Sequence, residues 1–156
     1  MYKFYAVIAL IFTFAFLPQG EYLDTLGAEF YDSEYFFYIS GSCDTGGEVR
    51  AVKNGDQDII ICPTSLAKEV RARINGKILG ESFRCRGNTR TAQNIKNKLG
   101  AKLVKSAYVD GIYILYLYSG QVRADPIYMY GDRVNLQIAV SKNTVTVGSP
   151  IILGGY

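Results

Sequence analysis

Histidine is absent from this 156-residue chain. That removes the commonest general base at neutral pH, the Ser-His-Asp and Cys-His nucleophile systems, and the usual nitrogen ligand for zinc. Chemistry is left to cysteines, carboxylates, lysines and tyrosines. The three cysteines, Cys43, Cys62 and Cys85, form no CxxC pair and spell no metal site. An odd number leaves one thiol unpaired within the chain. Cys62 and Cys85 could meet across the helix they flank; the competing expectation is three free thiols, two of them buried as small hydrophobes. A hydrolytic pair needs two carboxylates about 5–9.5 Å apart in a cleft, and candidates are few: Asp125 and Asp132 flank a loop around Tyr128. No motif supports them, and no catalytic, metal-binding or cofactor-binding residue is assigned.

Charge is the stronger signal. Residues 21–58 carry nine acidic side chains against Arg50 and Lys53, a net of about −7. Residues 68–105 carry eleven basic side chains against Glu69 and Glu81, a net of about +9. A segregation of this kind marks either an anionic partner or two segments that neutralise one another in the fold. Within the basic segment, Arg84, Arg86, Arg90, Lys96 and Lys98 surround the turn Gly87-Asn88-Thr89 at the start of a helix. That start could hold an anion, although its spacing is neither a P-loop nor a dinucleotide fingerprint. If the five residues share one face, they form an anion- or partner-binding surface.

The elements that must position these residues follow from periodicity. Residues 4–17 are an apolar run after a single positive charge, Lys3. As a helix it would be about 21 Å long, short of a hydrocarbon core of about 30 Å. This fits the apolar region of a secretory signal, cut near Gly20, or an uncleaved N-terminal anchor; both engage the membrane and put the remainder outside the cytoplasm. The reading divides the chain into a leader or anchor over 1–20, an acidic linker or short helix over 21–34, and one domain over 35–156. In that domain, 35–39 predicts a strand and Ser40 to Gly47 a loop. Residues 48–53 and 58–62 predict a hairpin turned at Asn54-Gly55. A helix capped by Thr64 or Ser65 carries Leu66, Val70 and Ile74, and stops at Asn75-Gly76. A strand over 78–86 follows, then a second helix with Asn88 or Thr89 as cap and Ala92, Ile95 and Leu99 as its stripe.

Residues 102–109 and 112–118 predict a second hairpin at Asp110-Gly111. The second of these strands is apolar on both faces, so something must cover each side. Residues 120–133 read as a loop. The last stretch, 134–156, reads as a third hairpin with an apolar, Pro-bearing tail docked in the core. The fold class expected is α+β: a mostly antiparallel sheet built from hairpins, with two amphipathic helices packed on it.

At Tyr118-Ser119-Gly120, Asn135-Leu136-Gln137-Ile138-Ala139 and Gly148-Ser149-Pro150-Ile151-Ile152 with Tyr156, the chain resembles the YwmB-like family of small exported proteins from Gram-positive, largely spore-forming bacteria. Ser149 stands where the family pattern has Thr. The likeness covers roughly the last seventy residues and does not extend to 21–77. It implies export, a fold similar to the TATA-box-binding protein, and a role in the envelope or in sporulation. It implies no activity, and a shared fold is no argument for DNA binding. The expected function is therefore a non-catalytic envelope protein that binds a partner protein or an anionic wall or lipid polymer, with no nucleic-acid partner. The alternative is a carboxylate-based cell-wall hydrolase. An intracellular nucleic-acid binder would use the same basic stretch with the Tyr-rich strands as a stacking surface, which the leader argues against.

Overall fold

The computed structural model describes residues 23–155. The expected leader or anchor over 1–20 lies outside the described residues, as does Tyr156. In chain order the elements are α1 (Leu23–Gly27), β1 (Glu34–Cys43), β2 (Arg50–Asn54), β3 (Gln57–Pro63), a 3-10 turn (Thr64–Leu66), α2 (Ala67–Arg73), β4 (Ile74–Arg86), α3 (Thr89–Lys98), β5 (Lys102–Val109), β6 (Ile112–Tyr118), β7 (Ile127–Met129), β8 (Asp132–Val134), β9 (Leu136–Ser141) and β10 (Thr144–Ser149). Eight strands form one antiparallel sheet in the order β2-β3-β1-β4-β10-β9-β6-β5, and β7-β8 is a separate small hairpin. The α+β class with a mostly antiparallel sheet is as expected.

The strands alternate between two faces. Tyr35, Phe37, Ile60, Phe83, Leu117, Ile138 and Val147 point to one, where Leu23 and Leu26 of α1, Val70 of α2 and Ile95 of α3 complete the main core. Within the acidic stretch before β1, Leu23–Gly27 is helical, and its Leu23 and Leu26 belong to the core. Phe36, Tyr38 and Ile61 form a second cluster on the outer face, and Ile114, Ala139 and Ile152 a third.

The chain covers part of that outer face with its own tail. The Ile152 amide donates to Gln137 Oε1 (2.8 Å), and Arg84 Nη2 donates to the Gly155 carbonyl (2.9 Å). A Cβ on Gly148 would lie 2.6 Å from Ile152 Cγ1, so only glycine lets the tail approach this closely. The tail is docked as expected, but on the face away from the helices.

Polar side chains fix the second half. Asn135 is buried on β9's approach. Its Oδ1 accepts from the Ser119 amide (2.8 Å), and its Nδ2 donates to the carbonyls of Ser119 (2.8 Å) and Val122 (3.2 Å). Ser119 Oγ donates to the Leu99 carbonyl (2.6 Å), holding the end of α3, and Ser149 Oγ donates to the Asn135 carbonyl (3.0 Å). The short motifs around 119, 135, 137 and 149 are thus the pins between α3, β6, β9, β10 and the tail.

Three local expectations need correction. Strand β1 runs on through Ser40 to Cys43, and β4 starts at Ile74, four residues early. The two extensions pair with each other, and Gly41 opposite Gly76 permits it: a Cβ on either would lie 2.8 Å from the other's Cα. Neither Thr64 nor Ser65 caps α2, which has no side-chain cap; the Thr64 hydroxyl lies 2.7 Å from Ser33 Oγ instead. The 120–133 loop contains the β7-β8 hairpin. By contrast, Asn88 caps α3 in a full capping box with Thr91.

Asn135→Ala would orphan three backbone groups at once. It is expected to cost about 2–4 kcal/mol in urea unfolding, against less than about 1 kcal/mol for Asn94→Ala on the exposed side of α3.

Candidate functional site

The five basic residues do not share a face. Phe83 and Cys85 of β4 point to the helices, so Arg84 and Arg86 point to the outer face, while Arg90, Lys96 and Lys98 lie on α3 at the opposite side. Arg84 is committed to the tail: besides its bond to Gly155, its guanidinium sits 5.2 Å from the centre of the Phe36 ring. Its Nε is buried without a hydrogen-bond partner. Lys98 is ion-paired with Glu29. The single anion-binding surface expected from the sequence is therefore not assembled. The turn between β4 and α3 is the reason: β4 buries Phe83 and Cys85 under α3, so Arg84 and Arg86 face away from the side on which α3 carries Arg90, Lys96 and Lys98.

Part of the charge segregation is spent inside the fold. Arg71 of α2 sits between α1 and β4, where its Nη2 is 3.3 Å from Asp24 Oδ2 and its Nη1 pairs with Glu81 Oε1. Tyr35 Oη donates to Glu81 Oε2 (3.2 Å), and the Arg71 guanidinium lies 5.1 Å from the Phe37 ring centre. Burial pushes the Tyr35 hydroxyl well above its ordinary range, and the neighbouring Arg71 offsets this in part. With Glu29–Lys98, Asp24–Arg71 is a pair between the acidic and the basic segments. That is the neutralising reading, realised at two points.

Beside this network lies a cleft of about 510 Å³, lined by Arg71, Lys77, Glu81, Arg123, Asp125 and Pro150 among others. It brings Glu81 and Asp125 to one hollow, but the Glu81 carboxylate is already bonded by Arg71 and Tyr35. Asp132 lines a different hollow, of about 130 Å³, with Lys105, Tyr116 and Tyr130. The acid pair expected to serve a hydrolase, Asp125 and Asp132, is thus not brought to one cleft.

The thiols are separate as well. Both Cys62 on β3 and Cys85 on β4 are buried and free. Strand β1 runs between them, its Tyr35 pairing with Cys62 on one side and Phe83 on the other. Two strand spacings make about 9.5 Å, beyond disulfide reach. Burial pushes both thiols from 9.0 up to about 11. Cys43, half-buried, is also raised, by burial first and against the pull of Arg73. None of the three has the lowered pKa of an activated nucleophile. Among the described residues no cluster of acids and cysteines could hold a metal ion.

Within the expected 120–133 loop, Ile127–Met129 pairs with Asp132–Val134 as a hairpin. Tyr128 and Tyr130 stand out from the β7-β8 hairpin, 73% and 83% exposed. Lys105 Nζ of β5 sits 3.9 Å from the centre of the Tyr130 ring, and the Arg133 guanidinium 4.6 Å from that of Tyr118. The signal available in the sequence was Tyr128-Met129-Tyr130 followed by Gly131, a turn residue between short β-prone runs.

No family model, curated protein or solved structure matches this chain.

In the folded chain, iodoacetamide at neutral pH is expected to reach Cys43 first, and Cys62 and Cys85 only after unfolding, as read by mass spectrometry. Because folding raises both buried thiols, their contribution to stability is fully present below pH 9 and drains away as the pH climbs from 9 towards 11. Urea midpoints over that window should fall, and fall less in Cys62→Ala/Cys85→Ala.

Proposed function

We propose that this chain is an exported, non-catalytic envelope protein that holds a partner protein through the aromatic and cationic end formed by the β7-β8 hairpin against β5 and β6. The observation that carries this reading is the pair of exposed rings, Tyr128 and Tyr130, on a hairpin steadied by Lys105. Tyrosine and arginine are the residue types that dominate the energetics of protein interfaces, because a rigid ring buries much area for little lost freedom. Tyr118 and Arg133 extend the same surface.

The polymer version of binding is weaker than the protein version. It needs a concentrated field, and Arg84 and Lys98 are already engaged by Gly155 and Glu29. The hydrolase alternative is weaker again, since Asp125 and Asp132 line different hollows. Export rests on the apolar run 4–17, and the envelope or sporulation setting on the resemblance to the YwmB-like family.

Envelope extracts can be passed over immobilised full-length chain and over two variants. Tyr128→Ala/Tyr130→Ala is expected to weaken retention of the partner at least about tenfold, at low and at high salt alike. Arg90→Glu/Lys96→Glu should retain it. Binding that ignores the tyrosines and collapses with salt would replace this reading with the anionic-polymer one.

A further inference from the structure

The eight-stranded sheet ends in two open edges, β2 and β5, and these edges are built differently. An open edge offers unpaired amides and carbonyls to any extended strand, and soluble proteins guard it with charge, shortness or a bulge. Strand β2 is short and exposed along its length, with Arg50 and Lys53 on it. Strand β5 is guarded only in its first half. There Lys102 and Lys105 are exposed, and the pairing with β6 shifts between Leu103 and Lys105, leaving Val104 without a partner.

The second half, Ser106-Ala107-Tyr108-Val109, carries no charge and is in regular register with β6. It is also bare. Tyr108 shares the helix-side face with Tyr113, yet it is 72% exposed, and Val109 on the outer face is 52% exposed. The chain then turns at Asp110, so the strand is basic at its start, uncharged in its middle and acidic at its end.

We infer that the second half of β5 pairs antiparallel with the same strand of a second copy, giving a two-fold dimer with one continuous sixteen-stranded sheet. The charge layout selects this occupant. Antiparallel self-pairing about Ala107 sets Ser106 of one copy opposite Tyr108 of the other, with both Tyr108 rings on the same face, and brings the basic start of each strand towards the Val109-Asp110 end of its partner, twice, around an uncharged centre. The β2 edge, Arg50–Asn54, carries two cations and no acid, so it has nothing to answer the basic start of β5. The self-pair is closed by its symmetry and cannot grow into a filament. This surface lies beside the Tyr128–Tyr130 patch but does not depend on it.

Sedimentation of the full chain, in mild detergent so that residues 4–17 are solvated, tests this. The expected result is a dimer that becomes a monomer in Ser106→Lys/Tyr108→Lys, where four added charges face one another across the two-fold axis, while Tyr128→Ala/Tyr130→Ala remains a dimer. A monomeric wild type would overturn the inference, as would a dimer that persists in the lysine variant. If the lysine variant does not fold, a second readout decides. In a Cys43→Ser background, Tyr108→Cys should crosslink copy to copy with a short bismaleimide and Val52→Cys should not; equal crosslinking from both edges, or none from Tyr108→Cys, overturns it.

Discussion

The constraint behind the whole structure is a sheet whose central strands are buried on both faces. In β1, five consecutive residues from Tyr35 to Ile39 are inaccessible, and in β9 the same is true from Leu136 to Val140. Such strands cannot leave a face to water without exposing a large apolar area, at about 25 cal/mol per Å². Three short helices cover one side. On the other, the six residues after β10 lie against the sheet, with Ile152 on Ile114 and Ala139. Gln137 and Arg84 hold the tail by its backbone, and Gly148 makes room for it. Cover and sheet therefore come from one contiguous run of chain, β9, β10 and tail.

This arrangement takes most of both sheet faces out of solvent at the central strands. A sheet face open to solvent could have used its tyrosines as a stacking surface. Here Tyr38 is buried, with its hydroxyl 3.2 Å from Ser82 Oγ and its ring beneath Gly154, and Arg84 is folded into the same closure. Three of the exposed aromatic side chains collect at the β5–β6 end, Tyr108 on one face and Tyr128 and Tyr130 on the other, while Tyr31 stands apart ahead of β1. Charge follows a similar logic. Asp24 and Arg71, far apart in sequence, meet where α1 and α2 converge on β4, so a segregation that suggested an external anion is partly consumed in packing.

Much of the fold was legible because it is local. The hairpins at Asn54-Gly55 and Asp110-Gly111, the Asn88 cap and the α3 stripe of Ala92, Ile95 and Leu99 each depend on neighbours a few residues away. The α2–β4 junction was not legible. Asn75-Gly76 has the chemistry of a helix stop, yet Ile74 already turns to extended backbone because the far arm of β1 is there to pair with it. Nothing within ten residues announces that partner. The basic site failed for the same reason: which side of β4 Arg84 faces is set by where Phe83 is buried, a tertiary fact. The hairpin of β7 and β8 is three residues per strand, below the length at which alternation becomes a signal. The motif residues Ser119, Asn135, Gln137 and Ser149 were visible as a pattern, but their role as pins appears only when α3, β6, β9 and the tail are brought together.

Closure of the outer face by residues 150–155 decides how much of that face stays open to solvent. The Ile152 amide reports on it directly, because its only role in the account is to donate to Gln137 across that face. Amide hydrogen exchange of the full chain should find this proton exchanging as slowly as those of the β9–β10 ladder, opening only with global unfolding. Exchange of Ile152 at the rate of the exposed turn at Lys142 and Asn143 would contradict the account, and would return the sheet face to the list of binding surfaces.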